Sequence, residues 1–129
     1  MIATTIEQSK HLLELGLDPN TADCMWLVTL RARLHVLDGE PISNYDMWEN
    51  YPAWSLSALL EVMPNNDYWE ICLWQYKGQR WQCVFDDVEF SNGETKAFVA
   101  DTPIDAAYEM VCWLLENNLI KKGGQDERD

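Results

Sequence analysis

Hydrophobic and polar positions along this 129-residue chain sort into two periods, and the clearest helical stretch is the last, Thr102 to Asn118. Ile104, Ala107, Tyr108, Val111, Leu114 and Leu115 recur at helical spacing and make one apolar stripe, with Asp105, Glu109 and Glu116 on the opposite side. Thr102 is placed to cap this helix, Pro103 fits its first position, and Asp105 sits where a carboxylate reaches back to the cap. A first helix is predicted from Thr4-Thr5-Ile6-Glu7-Gln8, either threonine capping and Glu7 or Gln8 completing a capping box. Ile6, Leu12, Leu13 and Leu15 supply its apolar side, Gly16 ends it in a left-handed conformation, and Leu17 folds back on its last turn. A middle helix is capped by Ser55, stapled by Trp54 and Leu59, buried through Leu56, Leu59, Leu60 and Met63, and ended by Pro64.

Period two governs the rest. Between Cys24 and Leu37, Leu27, Leu30, Leu34 and Leu37 fit a helix, whereas Trp26, Val28, Leu30, Ala32, Leu34 and Val36 alternate and Asp38-Gly39 follows as a turn; the alternation favours one long strand, or two broken near Arg31, over the helix. Residues 38 to 53 read as a long loop. Tyr68 to Val99 reads as a three-stranded meander. Its first turn is Gly78-Gln79 or Lys77-Gly78, and either two-residue turn sets Trp74, Tyr76, Trp81, Cys83 and Phe85 on one face. Asn92-Gly93 signals the second turn, which sets Glu89 opposite Lys96 and Phe90 opposite Thr95. The architecture that follows is α+β, with three helices packed on one face of a mostly antiparallel four- to five-stranded sheet. It forms a single domain over residues 1–120, with a disordered tail over 121–129.

Composition narrows the function classes. Twenty-two acidic residues against nine lysines and arginines give a formal charge of −13. Repulsion then opposes direct binding to nucleic acid or to an anionic membrane, whereas a basic protein partner is compatible. Cys24, Cys72, Cys83 and Cys112 are scattered without zinc-ligand spacing, and no apolar run approaches a membrane span. No basic-then-apolar leader opens the chain, so a reducing cytoplasm with free thiols is the expected setting.

Candidate chemistry is sparse. Arg31, Arg33 and His35 alternate along the proposed strand and form a possible grip for a carboxylate or phosphate; the same pattern suits a plain solvent-facing edge. Cys72 and Cys83 face each other in some registers, as a redox pair or as two small buried side chains. Asp86 and Asp87, near Glu70 and Glu89, offer oxygen ligands at spacing wrong for a calcium loop, so no metal site and no cofactor is assigned. Tyr45, Trp48, Tyr51 and Trp54 recur every third residue, interleaved with Asp46 and Glu49. Rings with polar handles on a loop suit a protein-binding hot spot or a sugar platform, and they also suit a cover over the open edge of a small core. No catalytic residue is assigned.

Three segments, HLLELGLDPNTADCMW, PAWSLSALLEVMP and TPIDAAYEMVCWLLENNLI, covering about half the chain, resemble an uncharacterised family of small acidic proteins found in gut anaerobes on prophages and other mobile elements. Residues 31–51 and 68–99 depart from any shared pattern. No activity is assigned to that family, so the resemblance implies only an intracellular bacterial setting and an accessory gene. The expected function is a non-enzymatic protein-interaction accessory. The alternatives are a small-ligand or carbohydrate-binding module using the aromatic loop, and an acidic DNA mimic that inhibits a nucleic-acid-binding protein.

Overall fold

The computed structural model describes residues 2–64, 68–87, 95–120 and 122–123. Among the described residues three α-helices and six strands follow one another as α1 (Ile6–Glu14), β1 (Cys24–Leu27), β2 (Arg33–Val36), β3 (Asn50–Ala53), α2 (Leu56–Val62), β4 (Trp69–Tyr76), β5 (Arg80–Asp87), β6 (Thr95–Ala100) and α3 (Pro103–Glu116). The class is α+β with antiparallel pairing, but the strands form two three-stranded sheets, ordered β2-β1-β3 and β4-β5-β6, in place of the single larger sheet expected. The cause is local. The end of the supposed loop 38–53 is itself a strand, and Trp54-Ser55 turns it straight into α2, which separates the two ladders along the chain.

Helix ends follow the sequence closely. Thr5 and Gln8 form the capping box, with Gln8 N–H donating to Thr5 Oγ1 at 3.1 Å and Thr5 N–H to Gln8 Oε1 at 3.0 Å. At the other end Gly16 has φ of 101°, and Leu17 N–H donates to Leu12 O at 3.0 Å, which buries Leu17 against the last turn. Thr102 caps α3 through Asp105 N–H, but the Asp105 carboxylate does not turn back to the cap; it accepts from Gln8 Nε2 at 2.9 Å and so ties α3 to α1. Ser55 caps α2, and Met63 before Pro64 is extended.

The main core lies between α1, α2, α3 and the inner face of β4-β5-β6. Leu12, Trp54, Leu59, Phe85, Met110, Val111, Leu114 and Leu115 are buried there, and the Trp113 ring meets Phe85 at 5.4 Å. Leu60, expected in this core, is 39% exposed. Trp74 is also misassigned by the sequence reading: it is 47% exposed and pairs with Gln82, while Ile71 and Leu73 pair with Phe85 and Cys83. The turn explains this. It has three residues, Lys77 to Gln79, with Tyr76 opposite Arg80, and an odd loop reverses the parity that either two-residue turn would give. The same shift puts Cys72 opposite Val84 and Cys83 opposite Leu73, so the two thiols lie on opposite faces. Lys96 pairs with Phe85 and Thr95 with Asp86, while Glu89 and Phe90, their expected partners, lie outside the described residues. Asn92-Gly93 lies outside the described residues, as does the expected tail except Lys122 and Gly123, whose N–H donates to Gly16 O at 2.8 Å.

Candidate functional site

The sequence reading of two strands broken near Arg31 holds, and the break creates a surface. Leu27 pairs with both Arg33 and Asn50, so the 28–32 loop and the 46–49 turn leave the small sheet at the same end. Asn50 joins them: its Oδ1 accepts from Val28 N–H at 3.3 Å, and its Nδ2 donates to Asp46 O at 3.0 Å. Asp46 in turn accepts from Trp48 N–H at 2.9 Å, which fixes the turn with its indole outward. Leu30 on the neighbouring loop holds a left-handed backbone, φ of 73°, unusual for a branched side chain. Leu30 is 99% exposed and Trp48 90%, with Met47 beside Trp48 in the chain and also exposed. Arg31 and Arg33 follow Leu30 in the chain and are exposed. Among the described residues neither guanidinium has an ion-pair partner.

The four aromatic positions separate. Trp48 stands in solvent. Tyr51 is half-buried in β3, paired with Trp26, with Lys10 Nζ 4.9 Å from its ring centre. Trp54 has no exposed surface; its Nε1 donates to Thr21 Oγ1 at 2.9 Å, and its backbone is clipped to Thr4 on both sides. It is a core residue and leaves the proposed binding set. Tyr45 turns back, its ring 5.7 Å from His35 and its hydroxyl donating to Glu40 Oε1. The every-third-residue spacing therefore fails to gather one platform, because a turn and a strand divide it.

The basic trio also divides. Arg33 and His35 share a face of β2, while Arg31 lies in the loop. His35 Nε2 is 3.1 Å from Glu40 Oε1, so it faces a carboxylate and is not free to hold another anion. Glu40 is the residue the sequence reading missed. It lies midway between His35 and Tyr45 in the chain, just past the Asp38-Gly39 turn, and that spacing was the available signal. The Tyr45 hydroxyl and His35 lower the Glu40 carboxyl below its ordinary value, and Glu40 raises Tyr45 above its own. This trio straps the 40–45 segment over the face of the small sheet that carries His35.

Three of the four thiols are poorly suited to nucleophilic work. Burial pushes Cys24 and Cys83 up to about 12, helped by Asp23 and Cys72 respectively. Burial pushes Cys112 up to about 11, partly offset by the Tyr108 hydroxyl. Among the described residues, no group of three His, Cys, Asp or Glu side chains is placed to hold a metal ion. Asp86 instead accepts from Thr95 Oγ1 at 3.1 Å. Two adjoining clefts, about 660 and 420 Å³, lie around Asn20, Ala22 and Asp23; neither Trp48 nor Tyr51 lines them. Among the described residues no helix is long and apolar enough to cross a membrane.

Comparison with known proteins returns no matching family model, no similar curated protein and no similar solved structure.

Proposed function

We propose that this chain is a non-enzymatic accessory protein that binds another protein through the end of its small sheet. The observation that carries this reading is Leu30 and Trp48, both nearly fully exposed, at one end of one sheet. An exposed leucine held in left-handed backbone contributes nothing to packing and strains the loop, and such strain gathers at working surfaces. A rigid indole beside an aliphatic anchor and two guanidinium groups has the composition of an interface centre. The resemblance to a mobile-element family supports an intracellular bacterial setting, with a host or phage protein as the partner. The carbohydrate reading is weaker, since Trp54 is core and neither Trp48 nor Tyr51 lines the two clefts around Asn20, Ala22 and Asp23. A photo-crosslinking residue at position 48, compared with one at 74 on the outer face of the larger sheet, tests the proposal. Adducts with one discrete protein from position 48 alone support it; equal adducts from both, or from 74 alone, refute it. If the captured protein binds duplex DNA and duplex DNA displaces the chain, the DNA-mimic version is the correct one.

A further inference from the structure

Resting on that reading, the geometry points to the chemistry of the partner: an extended acidic segment that adds to β2 as a fourth strand. Three observations converge.

The first is a free edge. In the order β2-β1-β3, no described segment pairs with the outer side of β2. Leu37 N–H donates to Asp23 O at 3.0 Å, and this pair continues the Cys24↔Val36 register. Hydrogen-bonded pairs alternate along an antiparallel ladder. His35 and Arg33 therefore turn their backbone groups toward β1, and Leu34 and Val36 turn theirs outward. The opposite edge is blunted, because Pro52 lacks an N–H and the next residues, Trp54 and Ser55, are paired to Thr4 and Ala3.

The second is charge. On a chain of −13, Arg31 and Arg33 sit unpaired among the described residues beside that edge. Bidentate contact with a carboxylate outweighs repulsion from distant acids, which salt screens beyond about 8 Å.

The third is periodicity. Arg33 and His35 lie on one face of β2, Leu34 and Val36 on the other, with Val36 exposed. An added strand that alternates carboxylate and apolar side chains satisfies both faces at once. Glu40 beside His35 places the carboxylates toward Arg33 and Arg31, next to Leu30 and Trp48.

A displayed library of random short peptides, selected on the intact chain, is the probe. Expected are peptides that alternate acidic and apolar residues and bind at least about tenfold more weakly to Arg31→Glu/Arg33→Glu and to Val36→Pro. Val36→Pro removes only an outward-facing N–H, and near-UV circular dichroism verifies that it folds. N-methylation along a selected peptide supplies a second measurement: affinity must fall at alternate positions only. Peptides that require Trp48 yet ignore the arginines and the β2 edge overturn the strand-addition inference and leave the surface reading standing. Selection that yields no peptide dependent on Trp48, on the arginines or on the β2 edge overturns both.

Discussion

Single residues in this fold divide into those the core needs and those it does not, and Trp54 and Leu30 are the two extremes. Trp54 fills the middle of the core and bonds Thr21 and Thr4. Trp54→Ala is expected to lose about 3–5 kcal/mol of stability in urea unfolding, a large part of the total for a domain this size. Leu30→Gly moves the other way. The left-handed backbone strains leucine and not glycine, and the exposed side chain contributes no burial, so stability rises by about 1 kcal/mol or less while partner binding weakens. A variant that loses both stability and binding contradicts the assignment. The two tryptophans at 48 and 54 share residue type and spacing, and the signal that set Trp54 apart was its place before the Ser55 cap, where it staples to Leu59 in the core. That Trp48 tops a turn follows only from the strand register, which the sequence does not print.

Elements were legible where their signals are local. Caps at Thr5, Ser55 and Thr102 and the Gly16 stop all depend on a few neighbouring residues, and all stand in the structure. What depended on counting loop residues failed. One extra residue in the Lys77–Gln79 turn moved Trp74 from core to solvent. Gln79 adopts φ of 70° there, so Gln79→Gly is expected to stabilise the meander by about 1 kcal/mol or less, read as a raised melting temperature. The 40–45 strap carries a pH signature. The Glu40 carboxyl is lower in the folded state than its ordinary value of 4.5, so its contribution is present above that value and is lost as pH falls through the lowered one. Glu40→Gln is expected to flatten the acid limb of the stability–pH curve below about 4.5, lowering stability at neutral pH and leaving it nearly unchanged in acid, where Glu40 is already protonated; an unchanged acid limb contradicts the strap.

At the scale of the whole molecule, α3 and the larger sheet hold the core while the smaller sheet presents its far end. That division explains why the candidate site was only partly legible. Arg31, Arg33 and Trp48 were named from sequence, but Leu30 reads as one more alternating apolar residue until the chain breaks there and turns it outward. Glu40 and the free edge of β2 exist only once the strands are paired. The central claim is that one end of the small sheet is where this protein meets its partner, and hydrogen exchange with and without the captured partner measures it most directly. Slowed exchange confined to residues 28–36 and 46–50 is the predicted result; protection confined to β4-β5-β6, with that end of the small sheet unchanged, would contradict it.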